Sequence, residues 1–286
     1  MSGFDALKQK FRQFNLAEKI IVINVVFFVL PFFLRTLFFL FNLPFTSFME
    51  WVELSPEWTR FLFRPWTLFT YSFFHGSFSH ILWNMILFYF ASRLFLNLFT
   101  EKRLLTIYSL GVLIGGVVFV LSYLIFPVFK GQTPGLIGAS AGVMAVLIFM
   151  CTYTPHNEVR ILFFNLKLMY LGIALVVIDV LQIPSGNSGG HLAHIGGAAL
   201  GYLYASQLLK GNDIGYGFEA SLSKLAQLFT AKPKMETVHR KPKSSSTKTP
   251  TAQQAEIDKI LDKISRSGYE SLSKAEKDTL FNAGKD

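Results

Sequence analysis

Ser140 stands between two glycines, in Gly138-Ala139-Ser140-Ala141-Gly142, at the head of an apolar run. A serine hydroxyl is a weak nucleophile until a base takes its proton, and histidine, with an ordinary pKa of about 6.5, is the usual base. His194 is the natural partner for Ser140. Acyl transfer also needs donors aimed at the oxyanion, and loss of one such donor typically costs about 3 to 4 kcal/mol of transition-state stabilisation. His80 and Asn84 stand i, i+4 apart, which puts both side chains on one face of a helix. The unpaired N–H groups at the start of the Ser140 helix would strengthen the same hole. His75 and His191 either line a water-filled opening to this site or sit at the membrane interface.

Other chemistries fit these residues less well. The pattern satisfies G-x-S-x-G, but a nucleophile elbow needs a preceding strand and a surrounding α/β sheet. No H-E-x-x-H is present, and no carboxylate accompanies His75, His80, His191 and His194 as a base, so neither a metal nor a cofactor is expected. Asp179 reads as an interfacial polar residue, with a third place beside Ser140 and His194 as the alternative. Gly138 and Gly142 are four apart, as are Gly197 and Gly201; such small-xxx-small pairs also let membrane helices approach closely.

The elements that must position these residues follow from composition. Hydrophobic residues make up 51% of the 286 and charged ones only 16%, against the roughly 25% usual in soluble domains. Between Ile20 and Leu209 there are nine Lys/Arg and six Asp/Glu, whereas residues 210–286 carry fourteen and ten. An apolar body and a solvated tail follow. Six apolar segments, at about 20–46, 79–98, 104–127, 136–153, 161–183 and 192–209, predict an all-α bundle of six transmembrane helices, since lipid leaves no partner for the open edge of a sheet. The net charge of +9 is explained by Lys and Arg flanking the spans, and no nucleic acid partner is expected. The single cysteine, Cys151, reads as a small buried residue.

Placing the N-terminus inside puts Lys8, Lys10, Arg12, Lys19, Lys102, Arg103, Arg160 and Lys210 on the cytoplasmic side and only Arg60, Arg64 and Lys130 outside, which satisfies the positive-inside rule. The second, fourth and sixth segments then begin at the outer face. His75, His80 and Asn84, then Ser140, then His191 and His194 converge there, a few residues below the surface. Ionisable residues are costly at that depth and are functional candidates by default. Residues 47–78, with Trp51, Trp58, Trp66 and Tyr71, are expected along the outer leaflet, and Gly186, Gly189 and Gly190 suggest a polar opening before the sixth segment.

Four regions follow: an amphipathic cytoplasmic N-terminus at 1–19, the six-helix core at 20–209, a basic amphipathic segment and linker at 210–251, and a small helical C-terminal module at 252–286. Within the third, 216–230 has helical spacing and 232–250 is rich in Lys, Pro, Ser and Thr. Within the last, Gly268 can stop one helix, and Ser273 with Glu276 has the spacing of a capping box for the next.

HGSFSHILWNM from His75 to Met85, GAS at Gly138 to Ser140 and AHIGGAALG from Ala193 to Gly201 together resemble the rhomboid family of intramembrane serine proteases, over about residues 15–210. The resemblance implies a serine-type endopeptidase of the bacterial six-helix type in a bacterial cell membrane. It would cleave transmembrane segments of membrane proteins near their outer ends, with substrates arriving from lipid past the second and fifth helices. Ser140 would be the nucleophile, His194 the base, and His80 and Asn84 the oxyanion donors. Gly197 and Gly201 would let the histidine helix approach the serine helix. Met144 stands where many members carry an aromatic against the catalytic histidine, and Trp66-Thr67 where many have Trp-Arg. The rival implication is an inactive rhomboid-like factor that binds membrane proteins without cutting them, although such relatives typically lack the serine or the histidine.

Overall fold

The computed structural model describes residues 3–161, 163–229 and 252–283. Two compact units divide the chain after Thr230, so the predicted linker at 232–250 lies outside the described residues. Six long helices build the first unit: α1 (Leu16–Leu40), α2 (Phe78–Leu96), α3 (Glu101–Ile125), α4 (Ser140–Tyr153), α5 (Leu168–Gln182) and α6 (Ser188–Leu209). It is an all-α membrane protein fold. Three of the helical stretches, Leu16–Leu40, Glu101–Ile125 and Leu168–Ser185, are long and apolar enough to cross a bilayer by length and composition.

The helix starts have local causes. Asn15 accepts from Glu18 N (3.0 Å) while Glu18 Oε2 accepts from Asn15 N (2.8 Å), a complete capping box that opens α1. Ser77 caps α2 by accepting from His80 N, and Thr100 caps α3 by accepting from Arg103 N. α4 is the hub. It packs against α2, α3, α5 and α6, and every residue from Ala141 to Cys151 is buried. At 14 residues it rises only about 21 Å, less than the roughly 30 Å hydrocarbon core. Oriented across a bilayer, α4 would be too short to reach both faces.

Small residues make this packing possible. A Cβ on Gly197 would run into Ala141 O, and one on Gly201 into Ala145 O, so α6 rides directly on the α4 backbone. The other glycine pair divides its work. Gly142 faces Tyr108 and Val112 of α3, not α6, while Gly138 precedes the helix altogether.

Three expectations are corrected. Ile161 and Phe164–Lys167 do not begin the fifth span; they belong to an antiparallel hairpin, β1 (Glu158–Ile161) with β2 (Phe164–Lys167), in which Glu158 opposes Lys167. The apolar run there is β-branched and aromatic, which suits a strand. Tyr71 leaves the interfacial belt for the core: it is 1% exposed, and its hydroxyl donates to Val112 O at 2.8 Å. Gly189 does not open a polar passage, because it admits the rings of Phe119 and Tyr123. Trp51 and Trp66 do stay exposed, stacked at 5.8 Å, with the Arg64 guanidinium 4.4 Å above Trp51.

Beyond α6, residues Tyr216–Phe229 are helical. In the second unit Ala252–Ser267 and Lys274–Ala283 are helices. Gly268, at φ +77°, follows the first, and Ser273 and Glu276 cap the second reciprocally at 2.7 and 3.3 Å.

Candidate active site

The segment that delivers Ser140 is pinned from two sides. Leu54 and Leu136 exchange backbone hydrogen bonds of 3.1 and 2.8 Å, and Gly138 N donates to Tyr71 O at 3.0 Å. Gly138 holds φ +129°, a conformation that L-residues with a Cβ rarely adopt. A side chain there would also stand 2.8 Å from the His80 imidazole. The glycine therefore lets the chain turn sharply into α4 under His80, leaving Ser140 as the first helical residue. Next to it, Ala139 N donates to His75 Nε2 at 3.4 Å, and the His75 and His80 rings lie edge to face at 5.0 Å.

Ser140, His80, Asn84 and His194 line one cavity of about 700 Å³, together with Met144 and His191. Its remaining walls include Trp83 and Leu87 of α2 and Leu175 and Ile178 of α5. His75 is not among the lining residues; it backs the site through Ala139 and His80. Asn84 is buried, and its Nδ2 donates to His80 O at 2.8 Å. That bond uses one of two amide protons.

The structure favours the alternative place for Asp179, beside the histidines of the site. Asp179, 7% exposed near the end of α5, takes both His191 Nδ1 and His194 Nδ1 on its Oδ1, each at 2.8 Å. It is a member of the cluster rather than an interfacial residue, and it supplies the carboxylate that the histidines lacked in the sequence reading. Two signals in the sequence favour that placement. A carboxylate inside a span needs a partner. Moreover, α5 and α6 are joined by a short link, so residues equally far from that link come side by side: Asp179 and His191 do, and His194 follows one turn on. Asp179, His191 and His194 place their ligand-type atoms within 4.8 Å of one another.

The arrangement can do acid–base chemistry. A proton on His194 Nδ1, held by Asp179, leaves Nε2 unprotonated and able to accept. The fold is thus a six-helix membrane bundle that holds a half-buried serine at a helix start, an oriented imidazole and an imidazole–amide pair on one cavity. The chain matches the Rhomboid domain family over residues 62–211, just over half its length, and belongs to the rhomboid family. Residues 248–283 match a family of unknown function (DUF6576).

Among curated proteins, it is 35% identical over 161 residues to "RHOMBOID-like protein 12, mitochondrial" of Arabidopsis thaliana, covering 52% of this chain and 48% of that protein. It is 30% identical over 152 residues to "Presenilin-associated rhomboid-like protein A, mitochondrial" of Danio rerio, covering 52% and 36%. The Homo sapiens "Presenilin-associated rhomboid-like protein, mitochondrial" is 29% identical over 153 residues, covering 52% and 38%. The chain thus matches less than half the length of each of these relatives.

Proposed function

We propose that this protein is an intramembrane serine endopeptidase that cuts transmembrane segments of other membrane proteins with Ser140 and His194. The observation that carries the reading is that Ser140, half-buried at the head of α4, shares a cavity with a histidine whose Nδ1 is held by a buried carboxylate. His194 Nε2 takes the proton as Ser140 Oγ attacks the scissile carbonyl. Asp179 then faces the imidazolium and stabilises it. The oxyanion is met by His80, by the free amide proton of Asn84 and by N–H groups at the start of α4, which the helix dipole favours. His194 returns its proton to the leaving amine, and water later releases the acyl group by the reverse sequence.

Walls from α2 and α5 on the same cavity support lateral arrival of the substrate between those helices. A helical substrate must unwind to present its carbonyl, so weak helix formers near the cut would help. Orientation and compartment belong to the same proposal. The excess of Lys/Arg on one side favours both termini in the cytoplasm, and the resemblance to bacterial six-helix rhomboids favours a bacterial cell membrane. The relatives' names place those proteins in mitochondria, and fractionation of the native host decides between the two membranes.

A fluorophosphonate probe on the detergent-purified full chain tests the chemistry. It should label Ser140, and the label should vanish in His194→Ala. Well-folded protein that takes no label would refute the proposal.

A further inference from the structure

Proteolysis by Ser140 uses one imidazole as base and at most one contact from a carboxylate to orient it. The cluster holds a second imidazole, His191, which that chemistry leaves without a task. Both Nδ1 atoms point at the same Asp179 oxygen at 2.8 Å, from i, i+3 positions on one face of α6. Two imidazole nitrogens and one carboxylate oxygen converging on a point are a recurrent donor set for zinc, whereas calcium and magnesium prefer oxygen alone.

Tetrahedral zinc bonds of about 2.0–2.1 Å set ligand atoms about 3.3 Å apart. The carboxylate would need to retreat by about half an ångström from its present 2.8 Å contacts, and the imidazole nitrogens, within 4.8 Å of each other, to close by up to about 1.5 Å. Burial favours ligation over loose attraction, since the side chains of Asp179, His191 and His194 are 10%, 13% and 21% exposed. All three also line the Ser140 cavity, which provides a route for the ion and room for water as a fourth ligand.

We propose that Asp179, His191 and His194 form an inhibitory binding site for a zinc-like divalent cation. The inhibition follows from the tautomer. A metal on His194 Nδ1 takes the lone pair there, and the displaced proton moves to Nε2. Nε2–H cannot accept the Ser140 proton. No bond to Ser140 and no redox change is involved; removing the ion restores the original tautomer. The inhibitory part rests on the protease reading above, while the binding part stands apart from it.

The experiment therefore reads binding directly. Zinc chloride is titrated into the full-length, detergent-purified Ser140→Ala protein against a chromophoric chelator, so turnover plays no part. One high-affinity site per chain is expected. Adding His191→Gln or Asp179→Asn should weaken it more than tenfold, since even outer-shell partners of zinc ligands are commonly worth about 10–100-fold. His156→Gln, at an exposed turn after α4, should leave it unchanged. Circular dichroism melts check that each variant is folded. In parallel, zinc should block fluorophosphonate labelling of the Ser140 protein, and a chelator should restore it.

Absence of a site in Ser140→Ala, or one that survives both ligand substitutions in folded protein, overturns the proposal. Loss of the site on His80→Gln with His191→Gln neutral would overturn it too, by placing the metal elsewhere. If binding behaves as expected but the probe never labels Ser140 even without zinc, the protease reading fails and the metal site stands.

Discussion

Two cavities lie along the same three helices, α4, α5 and α6. At the Ser140 end one of about 700 Å³ is lined by Ser140, Asp179, His191 and His194. Toward the Tyr153 end another of about 560 Å³ is lined by Ile148, Cys151, Gly172, Val176, Ala198 and Tyr202, with no imidazole, carboxylate or cation on its wall. Their volumes are similar and the backbones around them pack by the same device, small residues at close approach. What separates them is which turns carry polar groups. In a membrane each ionisable group is costly, and α2, α5 and α6 place His80, Asp179 and the α6 histidines around the first cavity, while the second is polar only through Cys151, Thr152 and Tyr202. The sharpest form of the comparison is that the first cavity governs chemistry and the second governs only stability.

The most severe test removes the proposed nucleophile. Ser140→Ala and His194→Ala should each lower kcat on the order of 10⁶-fold, and the double variant should be no worse, because residues acting as one unit are not additive. Melting temperature should stay at the wild-type value. Turnover of a reconstituted transmembrane substrate by purified Ser140→Ala would end the distinction between the cavities. Asp179→Asn comes next. Its amide can present the wrong group to His194 Nδ1, and a fall in kcat of about 10²–10⁴-fold with little change in KM is expected. An unchanged kcat would mean that Ser140 and His194 work without their acid.

Glycines at the hub couple the two properties. Gly142→Leu would drive a side chain into Tyr108 and Val112, and overpacking of this kind costs about 1–3 kcal/mol. Both melting temperature and cleavage should drop, since α4 carries Ser140. If Ser140→Ala proved equally destabilising, Ser140 would be a packing residue. Ile148→Ala enlarges the apolar cavity and should cost about 2 kcal/mol, at the low end for such truncations because lipid can reach the gap. Thermal melts in detergent should show that loss while kcat/KM holds. A collapse of kcat/KM would make the second cavity part of the catalytic machinery.

The sequence was informative where a signal repeats and silent where it does not. Six long apolar runs were legible as six helices because hydropathy sums over many residues. The hairpin at Glu158–Lys167 was not, since Ile161–Leu166 adds to the same sum and a short apolar run does not reveal its period. Ser140, His80, Asn84 and His194 were legible as one group only through topology, which brings three helix starts to one level. Asp179 was legible only as the alternative third member, because its partners are 12 and 15 residues away on another helix and a single acid forms no pattern. Tyr71 escaped for a similar reason: a tyrosine among exposed tryptophans reads as interfacial until Val112 O is seen to accept its hydroxyl.

The smallest expected effect lies beyond the Tyr153 end of α4, where Phe149 meets Tyr204 and Arg103 lies over Phe99. Asp213, just past α6, joins these groups. It accepts from Arg103 Nη2 at 2.6 Å, from Tyr204 Oη at 2.7 Å and from Gly215 N at 3.1 Å. Burial alone would raise its pKa, but the Tyr204 and Arg103 hydrogen bonds outweigh that and hold it below the ordinary carboxylate range. A depressed folded pKa stabilises the fold above the unfolded pKa of about 3.9, and the contribution is lost as pH falls through the folded value. The pair is partly solvated, so Asp213→Asn should cost no more than about 1 kcal/mol at neutral pH. The gap in melting temperature from wild type should be constant above about pH 5 and close as the medium is acidified below the unfolded pKa of about 3.9. Cleavage by Ser140 should be untouched, because no group of this network lines its cavity. A fall in kcat without a fall in melting temperature would mean that the two ends of the bundle are coupled, and the division between chemistry and stability would have to be abandoned.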